Sequence, residues 1–169
     1  MKVLTTILFS LFITLLSSGF AYTATSEVIW TDYEKYRDIR PGNGSRKHFR
    51  ESTFHNIEKH IAKLAEKLPE GQVLKIDVTD VDLAGDTFAG GIDQIRIIKD
   101  IYFPRINFSY QLVSADGNEI ESAEVILKDM SFLMGSRLRY RNESLGYEKN
   151  MLDEWFLETF DNHITKQVN

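Results

Sequence analysis

Four carboxylates stand within ten residues in the segment Asp77-Val78-Thr79-Asp80-Val81-Asp82-Leu83-Ala84-Gly85-Asp86. Two chemistries use such a concentration. A hard divalent cation takes several oxygen ligands, and a bulged strand can re-aim side chains toward one point. Glycoside hydrolysis uses two carboxyl groups, roughly 5–9.5 Å apart across a sugar site. Asp80, Asp82, Asp86 and Asp129 are the candidates for such a pair. The run lacks the Asp-x-Asp-x-Asp-Gly spacing and terminal Glu of an EF-hand loop. With 25 acidic residues in the chain, some pair of neighbours is expected by chance. Carboxylates at strand ends also serve simply to solvate and cap them.

Other chemistries find less. The histidines are His48, His55, His60 and His163, with no His-x-x-x-His or His-Glu-x-x-His spacing for a protease-type zinc site. His55 and His60, five apart, fall on different faces of a helix, and Glu51 with His55 reads as an ordinary surface pair. Gly42-Asn43-Gly44 is a lone Gly-x-Gly with no preceding βα unit, and no Gly-x-Ser-x-Gly elbow, phosphate loop or cofactor-binding pattern is present. Arg137, Arg139 and Arg141 alternate with Leu138 and Tyr140 just before the last predicted helix. They suit either an anion at a helix N-terminus or a solvated basic edge. Trp30, Tyr33, Tyr36 and Phe103 either line a groove or seal the rim of a core.

Composition narrows the field. A formal net charge of −5 gives no basic footprint for nucleic acid. Cysteine is absent, which removes thiol catalysis, iron–sulfur clusters and disulfides. The chain opens with Lys2, an apolar run from Val3 to Leu16, and the small residues Ser17, Ser18, Gly19 and Ala21. That order predicts an export signal at residues 1–21, cut after Ala21, leaving 22–169 as one domain. The run is too short for a retained span of roughly 20 apolar residues, so no membrane span is expected after cleavage. Without a cysteine behind the leader no lipid anchor can form. The expected location is an exported compartment, and the Asn-x-Ser triplets at Asn43, Asn107 and Asn142 would matter only in a eukaryotic secretory pathway.

The elements that must position these residues follow from periodicity. Glu27–Trp30 reads as a short strand. After the Pro41–Gly44 loop, Ser45 caps a helix to about Leu68, whose Phe54, Ile57, Ile61, Leu64 and Leu68 step by three and four. Val73–Leu83 is a long strand in which the apolar parity changes after Thr79, predicting a bulge or a strand end there. Ala84–Gly91 is a glycine-rich loop. Ile95–Val113 is a second strand region broken at Pro104, with Ile106, Phe108, Tyr110 and Leu112 inward. Asp116-Gly117 turns the chain into a return strand from about Glu119 to Met130. A last helix runs from near Tyr147 to about Thr165, burying Leu152, Trp155, Phe156, Phe160 and Ile164. The order β-α-β-β-β-α predicts an α+β two-layer sandwich: an antiparallel sheet of about four strands with two amphipathic helices on one face.

Several segments together resemble a known bacterial family. They are Trp30 with Tyr36 and Asp38, Leu68-Pro69-Glu70-Gly71-Gln72-Val73-Leu74, Val78-Thr79-Asp80-Val81-Asp82-Leu83-Ala84-Gly85, Phe103-Pro104-Arg105-Ile106, Leu127-Lys128-Asp129-Met130 and Tyr147-Glu148-Lys149-x-Met151-Leu152-x-x-Trp155-Phe156. The family is domain of unknown function 3016, and the resemblance covers about Val28 to Phe160. It implies an exported protein of Gram-negative bacteria, and it supplies no activity, cofactor or active site. It adds a set of recurring polar positions: Asp80, Asp82, Arg105, Asp129 and Glu148. With Asp86 these form the expected recognition surface, beside the Pro104 bend. An Arg105–carboxylate pair is one architectural use of them. The expected function is a non-catalytic binding or accessory module, with an envelope protein or acidic polymer as partner. An envelope glycan or peptide hydrolase using Asp80, Asp82 or Asp129, and a cation-stabilised domain, are the alternatives.

Overall fold

The alternating apolar residues form the strands they predict. The computed structural model describes residues 23–88, 95–134, 140 and 142–165. The expected leader at residues 1–21, its expected cut after Ala21 and the Arg137, Arg139 and Arg141 cluster lie outside the described residues. So does the far half of the glycine-rich loop. The elements are β1 (Thr25–Trp30), a single 3-10 turn (Tyr33–Lys35), α1 (Arg46–Ala65), β2 (Val73–Asp82), β3 (Asp86–Thr87), β4 (Arg96–Ile97), β5 (Arg105–Val113), β6 (Glu119–Lys128) and α2 (Gly146–Thr165).

The main sheet has the strand order β1-β2-β5-β6, and β3 and β4 make a separate two-stranded ladder. The α+β class, four strands and two helices match the expectation. The sheet, however, is mixed rather than antiparallel, because β1 runs parallel to β2, from Thr25 opposite Val73 to Trp30 opposite Val78. The cause is α1. A helix between two neighbouring strands carries the chain back along the sheet, so both strands start at the same end. The β5–β6 connection is a hairpin instead, and Gly117 takes the left-handed φ of 82° that its turn requires. Both β2–β5 and β5–β6 are antiparallel.

One face of the sheet carries the core. Leu74, Ile76, Val78 and Val81 of β2 and Ile106, Phe108, Tyr110 and Leu112 of β5 are buried with Ile57, Ile61 and Leu64 of α1. From α2 come Met151, Leu152, Trp155, Phe156 and Phe160. Ser45 caps α1 through its Oγ, which accepts the His48 N–H at 3.3 Å. Phe54 of α1 stacks on Trp30 of β1 with ring centroids 3.9 Å apart. Trp155 meets Phe108 edge to face at 4.8 Å, and Phe160 meets Tyr110 at 5.4 Å. Aromatic side chains of this size, each contributing roughly 1.5–3 kcal/mol by burial, fix where α2 lies on β5. The two helices are also joined by polar groups. His60 of α1 lies 2.8 Å from the Asp153 carboxylate of α2, and the Tyr140 hydroxyl donates to the other oxygen of Asp153 at 2.8 Å. His60 and Asp153 are both buried.

Candidate functional site

A bulge positions the acidic run. Val78 stands opposite Phe108 and Asp80 opposite Asn107, so Thr79 is the extra residue, and its hydroxyl donates to the Asn107 carbonyl at 3.2 Å. Without it, Asp80 and Asp82 would keep the inward parity of Leu74, Ile76 and Val78. With it, Val81 enters the core in their place, and Asp82 comes opposite Arg105 on the other face. The chain after β1 then returns to extend this end of the sheet. Asp38 N–H donates to the Val81 carbonyl at 3.1 Å, and Leu83 N–H to the Asp38 carbonyl at 3.2 Å. The Tyr36 hydroxyl donates to the Val78 carbonyl at 2.6 Å, beside the bulge. Burial, with Asp77 and Asp80 adding to it, raises that phenol's pKa well above the ordinary tyrosine value.

An open cleft of about 280 Å³ lies here, lined by Asp82, Asp86, Arg105, Phe103 and Tyr102 together with Arg37, Asp38, Gly85 and Ile101. Asp82 and Arg105 face one another at 4.0 Å, close enough for charge attraction and too far for a hydrogen bond. The Arg105 guanidinium lies 4.2 Å above the Phe103 ring. Its Nε is buried without a hydrogen-bond partner, while about a third of the side chain remains exposed. Burial raises the Asp82 carboxyl above its usual range, Arg105 opposes that, and Asp38 adds to it. Asp86 is exposed and accepts the Thr87 N–H at 2.7 Å.

Two other expected positions serve the backbone. Asp80 accepts the Arg37 N–H at 3.0 Å and pairs with the Arg37 side chain at 3.3 Å. Asp129 accepts the Ser131 N–H at 2.9 Å, and its own N–H donates to the Pro104 carbonyl at 3.2 Å. Asp129 therefore fixes the Pro104 bend without lining the cleft. Among the described residues, no three carboxylates or imidazoles come together as a cation would require. The aromatic residues divide: Trp30, Tyr33 and Tyr36 surround Phe54 at the rim of the core, and Phe103 supports Arg105 in the cleft.

Sequence reasoning missed Arg96. Its Nη1 donates to Asp38 Oδ2 at 2.9 Å and to the Gly85 carbonyl at 2.8 Å, and its Nη2 donates to the Arg40 carbonyl at 3.0 Å. These bonds lock the Leu83–Gly85 turn against the Asp38 segment. Gly85, at φ +81°, passes so close to β4 that an added Cβ would stand 2.7 Å from the Ile97 carbonyl oxygen. Gly85 N–H donates across to the Tyr102 carbonyl at 2.8 Å, which ties the turn to the aromatic wall of the cleft.

Glu148 lies on the far side of the same turn. It sits in the first helical turn of α2, and one carboxyl oxygen accepts the Ala84 N–H at 2.7 Å. Burial pushes this carboxyl above the usual range, against the opposing effects of the Ala84 and Glu148 N–H groups and Arg96. The residue docks the turn onto the helix rather than facing the cleft. Glu148→Gln keeps an acceptor without the charge, so it should leave stability at pH 7 unchanged or raised by about 1 kcal/mol. Glu148→Ala strands the buried Ala84 N–H and should lower stability by about 2 kcal/mol. Urea unfolding of the two variants reads the difference. Equal losses in both would show that the acceptor is not what matters.

A family model described as a protein of unknown function, DUF3016, matches residues 24–158. No curated protein and no solved structure matches the chain.

Proposed function

The chain belongs to the DUF3016 family, and from that premise we propose that it is an exported, non-catalytic recognition module of the cell envelope. The observation that carries the reading is Arg105. A guanidinium seated on an aromatic ring, opposite a carboxylate it does not hydrogen-bond, leaves strong donors available at an open cleft. Such a group takes a carboxylate or carbonyl from an acidic polymer or a protein segment. Among the described residues the cleft lining contains no Ser, Thr, Cys, His or Lys. Export rests on the apolar leader at residues 1–21, and the periplasm is the compartment it serves.

The test is a photo-crosslinking residue at Ile101, which lines the cleft and is 64% exposed. In intact cells it should give a defined adduct in the periplasmic fraction. The adduct should fall at least about tenfold with Arg105→Ala, and deletion of residues 1–21 should abolish it by keeping the chain inside the cell. No adduct, or one indifferent to Arg105, would overturn the reading. A hydrolase reading draws on one observation: Asp82, with its raised carboxyl, and Asp86 line the same cleft. Turnover of envelope glycan that disappears in Asp82→Asn would replace recognition by catalysis.

A further inference from the structure

The free edge of the sheet carries its own specification. β6 is ten residues long and, among the described residues, pairs only with β5. Long edges are normally blunted by prolines, bulges, shortness or charged side chains, since their unpaired N–H and C=O groups recruit other strands, and the charges of β6 next to Ile126 are Glu124 and Lys128, of opposite sign. β6 has no proline, and its one register shift lies at the Glu119 end, leaving Ala123–Lys128 regular. In that regular half, Glu124, Ile126 and Lys128 share the face turned away from the helices. Their β5 neighbours are Ser109, Asn107 and Arg105. Lys128 thus stands opposite another cation, an unfavourable arrangement. Among the described residues neither Glu124 nor Lys128 has an ion pair, and Ile126 is 77% exposed between them.

We propose that β6 pairs antiparallel with β6 of a second copy of this chain, centred on Ile126, to make one continuous sheet across a two-fold dimer. In this register the two Ile126 side chains meet. Glu124 of each copy stands opposite Lys128 of the other, and Val125 opposite Leu127 on the helix side. Each Lys128 then gains a carboxylate to offset Arg105. A register shifted by two residues sets Glu124 against Ile126, and one shifted by four sets Glu124 against Glu124. Only same-face alignments keep the apolar residues on the core side, so the charges select the first register. The contact is isologous and closes at two copies. It does not depend on what the cleft binds.

Light scattering on protein released from cells expressing the full chain should give the mass of two copies, falling to one on dilution. Glu124→Lys and Lys128→Glu, each alone, should raise the dissociation constant about tenfold or more, and the two together should restore it. Ile126→Thr should weaken the dimer by a similar factor without altering any charge. Thermal melts of monomeric Glu124→Lys and Ile126→Thr should match the unmutated monomer, because these side chains face solvent in a single copy, whereas Lys128→Glu should melt no lower, because it replaces the repulsion from Arg105 by attraction. A mass of one copy at every concentration would overturn the proposal. So would a mass above two copies, or a dimer that the single reversals leave intact or the double swap fails to restore.

Discussion

Arg96→Ala is expected to lower folding stability by about 3 kcal/mol, the loss typical of removing one partner of a buried ion pair. Its guanidinium supplies hydrogen bonds to Asp38 and to the Gly85 and Arg40 carbonyls. The Arg96 and Asp38 side chains are 19% and 11% exposed. Removing the cation leaves the Asp38 carboxylate with the Arg40 N–H at 3.1 Å and frees the Gly85 carbonyl. Arg96→Lys should recover only part of the loss, because a single ammonium cannot span the fork of acceptors. Asp38→Asn should cost less than Arg96→Ala, since the amide oxygen can still accept from Arg96 and the guanidinium keeps the Gly85 and Arg40 carbonyls. The double variant Asp38→Asn/Arg96→Ala should fall short of the sum of the two single losses. Urea unfolding of all four variants measures this. A loss below about 0.5 kcal/mol for Arg96→Ala, the range of ordinary surface substitutions, would show that the turn holds its shape without it.

The same substitution tests how the cleft is built. Arg96 does not line it, yet it fixes Gly85, whose N–H holds the Tyr102 carbonyl. Loosening that turn should lower crosslinking from Ile101 while leaving Arg105 and Phe103 chemically intact. Arg96 is in this sense a positioning residue, acting through the backbone of the turn.

What was legible in the sequence was the local pattern. The parity change after Thr79 located the bulge, the 3- and 4-residue steps located both helices, and Asp116-Gly117 located the hairpin. The direction of β1 was not legible, because periodicity says which face a strand buries and not which neighbour it pairs with. The helix between β1 and β2 makes them parallel once they are neighbours, but nothing in the local pattern makes them neighbours. Arg96 was missed for a related reason. Its partner Asp38 is 58 residues away, and neither residue stands in a local pattern that forecasts the other. Of the polar positions singled out, Asp82, Asp86 and Arg105 reach the cleft, while Asp80, Asp129 and Glu148 satisfy backbone or side-chain partners beside it. Residue type alone could not separate these uses. The His60–Asp153 pair had a readable signal: His60 interrupts the apolar stripe Ile57, Ile61, Leu64, and Asp153 sits beside Leu152 on the buried face of α2. A polar residue on each of two facing stripes is what a cross-helix bond requires.

Asp153→Ala is expected to cost about 3 kcal/mol, because it strips the His60 ring and the Tyr140 hydroxyl of a shared acceptor inside the fold. The pair also gives stability a pH dependence whose sign can be worked out. Burial pushes the His60 imidazole below its ordinary value of 6.5, with Asp153 opposing and not cancelling the shift. As pH falls through 6.5 the unfolded chain takes up the proton first, so stability should fall by at most about 1.4 kcal/mol per pH unit. Glu148 acts in the other direction. Its carboxyl lies above the ordinary 4.5, so the folded chain holds its proton longer as pH rises, and stability falls upward from pH 4.5 through the folded-state value. The two slopes are opposite in sign, His60 acting below pH 6.5 and Glu148 above pH 4.5. Each single variant should therefore lose one of the two slopes that the unmutated protein shows. His60→Gln should expose the decline with rising pH, and Glu148→Gln the decline with falling pH. Urea midpoints across this range measure all three. A Glu148→Gln protein that gains stability on acidification below pH 6.5, a gain that His60→Gln then removes, would mean that Asp153 outweighs burial, and that His60 is held as an imidazolium paired to the carboxylate between the two helices.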